Sequence, residues 1–396
     1  MSPRGAAAAD RPADVLLYVQ HLLGTGHLHR AAAIARAAER TGLDVVVASG
    51  GLPVPSLEVA PARLVQLPPV RARDEAFAVL VGPDGRPVDE AWMAARREAL
   101  CALYRRMRPR VLLIEMFPFG RRQMRFELLP LLAEACAARP RPRIVCSLRD
   151  VLTTRKTPDK IDWMLRTFAR YFDLLLVHGD PGFLPLERSF PRAAEIAEKI
   201  RYTGYVIGDM AAPGAPDGAG RGEVIVSSGG GAVAGPLIEA AFGARALGPL
   251  AEAPWRVLIG PNLPEARFRA FLRGAPPGFV VERARADFRH LLAHARLSIS
   301  QGGYNTVMEV LAAGLRAVVV PFAARWETEQ TLRTRLLAAR GALTPVEDAD
   351  LTPQALAAAV ERALAAPPAD LPALGVKTDG ALETARILRD MVAIVR

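Results

Sequence analysis

The sequence predicts an α/β protein built of two doubly wound halves, and three glycine junctions predict it. They are His21-Leu22-Leu23-Gly24-Thr25-Gly26-His27-Leu28-His29-Arg30, Val226-Ser227-Ser228-Gly229-Gly230-Gly231-Ala232 and Ser298-Ile299-Ser300-Gln301-Gly302-Gly303-Tyr304-Asn305-Thr306. Each joins an apolar run of strand length to a helical pattern. Glycine permits the tight turn, and a helix opening there directs N–H groups and its positive dipole end at any ligand. Apolar strands that alternate with helices pair in parallel and are covered on both faces. Two such halves imply a cleft between the carboxyl ends of their strands, where open α/β sheets bind ligands.

The elements follow in order. The first half reads as strand Asp14–Val19, helix Ala31–Arg40 stopped by Gly42, strand Asp44–Ala48 ended by Gly50-Gly51, and strand Arg63–Leu67. Helices Asp89–Met107, Arg125–Ala138 and Lys160–Arg170 then alternate with strands Val111–Glu115, Ile144–Ser147 and Leu174–His178. Residues 205–222 are too rich in Gly and Pro for either element and read as a linker. The alternation restarts with strand Glu223–Ser227, helix Val233–Ala246, strand Arg256–Ile259, a helix from Pro264, strand Phe279–Glu282 and helix Phe288–Ala293. Strand Leu297–Ile299, a helix opening at Asn305-Thr306, and strand Ala317–Val320 closed by Pro321 come next. Ala381–Val395 is an amphipathic helix with no strand after it. The expected partition is a disordered tail (1–13), a first domain (14–204), the linker, a second domain (223–375) and a final helix (376–396) returning to the first.

Composition narrows the class. Hydrophobic residues make up 51% of 396, which describes a chain able to fill two cores. The 51 basic against 41 acidic residues give +10, nearly all of the excess as arginine. That balance suits a polyanionic ligand or an anionic membrane surface. Nucleic acid is not expected, because the basic residues are scattered and no helix-turn-helix, zinc finger or aromatic stacking pattern occurs. Cys101, Cys136 and Cys146 form neither a disulfide framework nor a metal-ligand pattern, which points to a reducing compartment. Residues 1–14 lack the apolar run of a signal peptide, and no segment has the ~18 uncharged apolar residues of a membrane span. The expected location is cytoplasmic, with peripheral docking at the inner face of the membrane in view.

The first junction lacks the third glycine of a dinucleotide fingerprint, where His29 stands, and no acidic residue ends the second strand. No Gly-Lys-Ser/Thr of a P-loop occurs either. Neither a nicotinamide nor a flavin is expected, and no cofactor is. What the junction offers is His27 at a helix N-terminus, whose positive potential disfavours the imidazolium and keeps the ring available as a base. Glu115 and Asp150 end first-half strands and are rival bases, or salt-bridge partners of Arg121 and Arg149. In the second half the loops at Ser228–Gly231 and Gln301–Gly303 suit a diphosphate, with Glu309 one turn into the following helix to accept from a ribose diol. Asp348-Ala349-Asp350 reads as a helix-capping loop, so no metal site is expected.

The run Gly302-Gly303-Tyr304-Asn305-Thr306-Val307-Met308-Glu309, the strand to Val320-Pro321, and Glu329-Gln330 before a helix resemble the nucleotide-sugar half of the GT-B glycosyltransferases, family 28 above all. Gly24-Thr25-Gly26-His27 is similar to that family's amino-terminal glycine loop. Glu115-Met116-Phe117-Pro118-Phe119-Gly120-Arg121-Arg122 and Ser147-Leu148-Arg149-Asp150 look like a related bacterial group. The resemblance implies two Rossmann-like domains facing a cleft and metal-independent transfer of a sugar, UDP-linked, to an acceptor hydroxyl. It places Gly24, Gly26, Ser228, Gly229, Gly230, Gln301, Gly302, Gly303, Asn305 and Thr306 at the donor, Glu309 on the ribose, Glu329 and Gln330 on the donor sugar, and His27 as base. Thr331-Leu332-Arg333 departs from the asparagine-alanine pair of the peptidoglycan-precursor enzyme, which bears on sugar identity. The acceptor is expected to be amphipathic or membrane-associated, with Met116–Arg122 as its contact. Alternatives of the same architecture are a nucleotide-sugar hydrolase or 2-epimerase, and from outside enzymes a nucleotide-sugar-binding protein.

Overall fold

The computed structural model describes residues 11–55, 57–74, 77–152, 157–208, 217–230, 234–322 and 329–395. Residues 1–10 of the expected tail, residues 209–216 of the expected linker, Gly231, and the start of the helix expected from Val233 lie outside the described residues. The chain divides into two compact units: the first takes in residues to Pro181, Pro185–Val206 and those from Asp379 on, and the second Gly182–Leu184 and Ile207–Thr378. Each carries a parallel sheet, and the two doubly wound sheets predicted from sequence are both present.

The first sheet joins β1 (Val15–Val19), β2 (Val45–Ser49), β3 (Arg63–Gln66), β6 (Val111–Glu115), β7 (Arg143–Arg149), β8 (Leu174–His178) and β9 (Ile200–Tyr202) in the order β3-β2-β1-β6-β7-β8-β9. A small antiparallel pair, β4 (Arg71–Ala72) and β5 (Leu80–Val81), stands apart. Strand alternation splits the packing into two cores. Leu16, Leu112, Ile114, Ile144, Cys146 and Leu175 face one side, with α2 (Glu90–Met107), α3 (Arg125–Ala137) and α4 (Pro158–Tyr171). Val15, Leu17, Val111, Leu113, Val145 and Leu176 face the other, under α1 (Gly26–Arg40). Small residues such as Ala31, Ala35 and Ala38 let α1 lie close, and the chain's last helix packs on it through Ala385, Leu388 and Val392. Full burial of a Val or Leu is worth ~1.5–3 kcal/mol, so these runs fix both strands and helices. Gly42, at φ +90°, ends α1. α1 starts at Gly26, five residues before the expected Ala31, because His27 and Arg30 are helical although their side chains face the sheet rather than water.

The second sheet joins β10 (Val224–Ser227), β11 (Trp255–Ile259), β12 (Phe279–Arg283), β13 (Leu297–Gln301), β14 (Ala317–Val320) and β15 (Thr344–Pro345) in the order β12-β11-β10-β13-β14-β15. One face packs on α5 (Gly235–Ala244) and α10 (Pro353–Ala365), through Leu237, Ile238 and Ala241 and through Leu356 and Val360. The other helices of this unit are α6 (Glu265–Gly274), α7 (Phe288–Leu292), α8 (Tyr304–Ala312) and α9 (Glu329–Ala339). Thr352 caps α10 by accepting from Ala355 N at 3.1 Å, and Asp348–Asp350 forms a 3₁₀ turn before it. The final helix, α11 (Gly380–Ile394), belongs to the first unit. No helix among the described residues is long and apolar enough to cross a membrane.

Candidate functional site

In each sheet the order reverses beside the first strand. β10 lies between β11 and β13, and β1 between β2 and β6. At such a switch point the following loops diverge and open a crevice at the strand ends.

In the second unit, Ser227 of β10 pairs with Ser300 of β13, so the loops Ser228–Gly230 and Gln301–Gly303 leave neighbouring strand ends. The first is braced from behind. Buried Ser228 donates from Oγ to Leu258 O and accepts from Gly260 N, both at 3.2 Å. Gly229 takes φ +60°, which only glycine adopts freely, and Asn262 Nδ2 donates to Gly230 O. Arg283 donates to Gly260 O at 3.0 Å and stacks on Phe268. Gly303 is the N-cap of α8, and Asn305 and Thr306 lie in its first turn.

Glu309 sits farther along α8 with Arg289 Nε 3.8 Å away. Burial pushes its carboxyl up to about 7, against the pull of Arg289. Glu329 and Gln330 open α9. Glu329 is buried and accepts from Arg333 Nη2 at 2.7 Å, while Gln330 Oε1 accepts from Phe322 N at 3.0 Å. Arg333, itself fully buried, also donates to Gly302 O at 3.2 Å and lies against the Tyr304 ring. Arg333, in the run Thr331-Leu332-Arg333 that departs from the peptidoglycan-precursor enzyme, thus ties Glu329 to the glycine loop. Arg289 had no role in the sequence reading, since it lies in no motif, and Arg333 entered it only within that run.

In the first unit, Gly24 lies on the loop into α1, Gly26 is the first residue of that helix, and His27 follows on its first turn. His27 Nδ1 is 2.8 Å from Glu115 Oε1 at the end of β6. Arg30 donates to the same carboxylate oxygen and lies 3.0 Å from His27 Nδ1. Burial alone would raise Glu115, but Arg30 and the hydrogen bonds of His27 and Ser147 hold it well below the usual carboxylate range. An ionised carboxylate only accepts, so His27 donates from Nδ1 and its lone pair sits on Nε2. Burial first, then Arg121, lowers His27 to about 3 against the pull of Glu115. The sequence reading credited the helix terminus; burial and Arg121 account for it instead.

Asp150, buried past β7, accepts from Tyr205 OH at 3.2 Å. The structure thus joins Glu115 to His27 and Arg30, whereas Asp150 meets Tyr205. Arg121 Nε donates to Gln20 O at 2.7 Å and Arg149 Nε to Val151 O at 3.2 Å. Met116, Phe117 and Phe119 correct one expectation. All three are buried, Phe117 against Trp163 and Phe119 between Phe168 and Phe190, so they present no apolar patch to a lipid or acceptor.

Residues 279–373 match the glycosyltransferase family 28 C-terminal domain. MurG of Acinetobacter baumannii superposes with a TM-score of 0.53 at 15% identity, covering 97% of this chain and 99% of that one. Spinosyn rhamnosyltransferase SpnG complexed with thymidine diphosphate gives 0.55 at 18%, covering 96% of each. This is a family 28-like chain of the GT-B fold. The UDP-N-acetylglucosamine--N-acetylmuramyl-(pentapeptide) pyrophosphoryl-undecaprenol N-acetylglucosamine transferase of Brucella canis is 32% identical over 110 residues, 28% of this chain and 29% of that protein. The GT-B chain therefore spans under a third of the length of that curated relative in sequence, and matches MurG and SpnG along nearly its whole length in fold.

Proposed function

We propose that this protein transfers a sugar from a nucleoside diphosphate sugar, UDP-linked, to an acceptor hydroxyl without a metal ion. The observation that carries the reading is the meeting of two glycine loops at one switch point, with Glu309 on the helix that the second loop opens. Gln301, Gly302, Gly303, Asn305 and Thr306, with Ser228, Gly229 and Gly230, hold the diphosphate. The helix terminus offsets its charge, which is why no divalent ion is required. Glu309 accepts from the ribose hydroxyls, and Glu329 and Gln330 contact the donor sugar. SpnG was solved with a nucleoside diphosphate on this fold, which supports the donor class.

His27 takes the acceptor proton on Nε2 while Glu115, bound to Nδ1, stabilises the imidazolium that forms. The acceptor oxygen bonds to the anomeric carbon, the bond from that carbon to the diphosphate breaks, and its electron pair leaves with the diphosphate. In this reading Glu115 orients the base, Asp150 stands by as the rival base, and Gly24 and Gly26 shape the loop that presents His27. The Brucella relative is named for an acceptor on pyrophosphoryl-undecaprenol, so a lipid-carried acceptor, met at the inner face of the membrane, is the first class to test.

A thermal-shift screen of UDP-sugars finds the donor, and turnover is then followed with and without acceptor. His27→Ala should cut turnover ~10²–10⁴-fold with donor affinity unchanged. His29→Ala, at an exposed neighbour, is the control. Normal turnover in His27→Ala passes the role to Asp150. Rapid release of free sugar without acceptor makes the protein a hydrolase.

A further inference from the structure

Three neighbouring strands of the first sheet carry polar residues at or near their carboxyl ends, and a fourth is followed by one: Glu115 ends β6, Ser147 lies two residues before the end of β7, His178 ends β8 and Thr203 follows β9. Glu115 pairs with Ser147, Ser147 with Leu176 two residues before His178, and Val177 with Tyr202 just before Thr203. Alternation therefore puts all four on the face that α1 covers. All are buried and joined in series. Ser147 Oγ is 2.6 Å from Glu115 Oε2 and 2.8 Å from His178 Nε2, and His178 Nδ1 is 2.9 Å from Thr203 Oγ1.

The proton count sets the direction of each bond. Glu115, ionised beside Arg30, accepts at both oxygens. Ser147 has one proton and gives it to Glu115, so it accepts from His178 Nε2–H. Burial and Arg30 lower His178 to about 3, so the ring is neutral and its Nδ1 is bare; Thr203 Oγ1, 2.9 Å from Nδ1, also has Gly204 O as an acceptor at 3.0 Å. Donation runs one way, from His178 through Ser147 to Glu115, and ends on the carboxylate that receives His27 Nδ1–H.

We infer that Ser147 and His178 are positioning residues for the base: by occupying Glu115 Oε2 they hold Oε1 on His27 Nδ1 and so keep the His27 lone pair on Nε2. This rests on His27 as the base of the proposed transfer. The competing arrangement is built into the site, because Arg30 Nη2 lies 3.0 Å from His27 Nδ1. Once Glu115 turns away, Nδ1 accepts from Arg30 and the ring proton moves to Nε2, the position that must be bare. The charged and titratable groups facing His27 are Arg30 on its own helix, Glu115 from β6 and Arg121 from the segment after it; Arg30 and Glu115 also face His178.

The test needs no substrate. The chain has six histidines, so histidine-¹⁵N protein gives a readable long-range ¹H–¹⁵N spectrum at pH 7. Variants His27→Gln and His178→Gln identify the two signals. The expected wild-type pattern is Nδ1–H for His27 and Nε2–H for His178. Ser147→Ala should shift His27 toward Nε2–H by on the order of tenfold in tautomer ratio, the scale of one hydrogen bond to a charged group, and Ser147→Thr should restore it. At 178, Gln puts an amide N–H where Nε2–H stood and preserves the His27 tautomer, whereas Asn puts it at the Nδ1 position and loses it. A role confined to packing predicts no difference between Gln and Asn, and that pair decides the matter where Ser147→Ala does not fold. His27 unchanged in folded Ser147→Ala, or Asn serving as well as Gln, overturns the inference. Because tautomers are read without turnover, a failure of the transfer reading shows separately, as normal turnover in His27→Ala.

Discussion

At Glu309 burial and Arg289 work in opposite directions, and the balance leaves the side chain near 7, poised between acid and carboxylate at neutral pH. A carboxyl whose pKa rises on folding binds more protons folded than unfolded between its ordinary value and 7. Stability therefore falls as pH climbs through that window. At pH 5 the folded state keeps the proton and the penalty is small; by pH 8 the charge sits where it is disfavoured. Glu309→Gln should accordingly gain ~1–3 kcal/mol at pH 8 and far less at pH 5, read from thermal or denaturant unfolding. The same variant should lose ~1.5–3 kcal/mol of UDP binding by calorimetry, because the proposed contact is a ribose diol donating to a carboxylate. Wild-type affinity should rise from pH 6 to pH 8 as the carboxylate forms. Equal stability of the two proteins at both pH values removes the buried-charge argument, and unchanged UDP affinity removes the ribose assignment.

At the scale of elements, two glycines of the loops separate fold from binding. A methyl on Gly303 meets nothing within 4 Å, and its backbone, at φ −63° and ψ 140°, suits any residue. Gly303→Ala should change stability by less than about 1 kcal/mol yet weaken UDP binding, since the methyl would stand at the mouth of the loop proposed to hold the diphosphate. A methyl on Gly260 would collide with the carbonyl of Gly229 and lie 2.9 Å from Gly230 Cα, both backbone atoms that cannot swing aside. Gly260→Ala should cost ~1–3 kcal/mol and bind UDP poorly through displacement of the loop. If Gly303→Ala binds UDP normally, the phosphate does not lie where this helix begins. The long buried strands and the glycine junctions were legible in the sequence because periodicity and turn chemistry are local signals. The β4–β5 pair, β9 and β15 were not, being two or three residues long and set by their neighbours. The grouping of Arg30, Ser147 and His178 escaped for a related reason: parallel register brings Ser147 and His178 to Glu115, and the packing of α1 on the sheet brings Arg30, and no local pattern records either.

At the scale of the whole molecule, the proposed base, His27, and the proposed ribose ligand, Glu309, belong to different compact units, each with its own partners: Glu115 and Arg30 for His27, Arg289 for Glu309. Residues without shared partners usually act additively, within ~0.3–0.5 kcal/mol. Glu309→Ala should raise KM for the donor with little change in kcat, as loss of binding shared by ground and transition states does. His27→Ala should lower kcat with little change in KM, and the double variant should show the product of the two effects. The pH profile should divide along the same line. His27, held to about 3, stays unprotonated through the neutral range, so kcat should carry no imidazole limb above about pH 4. Glu309, near 7, should place a limb there in kcat/KM alone, with efficiency rising as the carboxylate ionises. Glu309→Gln removes that limb, whereas His27→Ala leaves it in whatever activity persists. A limb near pH 7 in kcat that vanishes in His27→Ala would reverse the assignments, and strong coupling in the double variant would show that neither residue acts within its own unit alone.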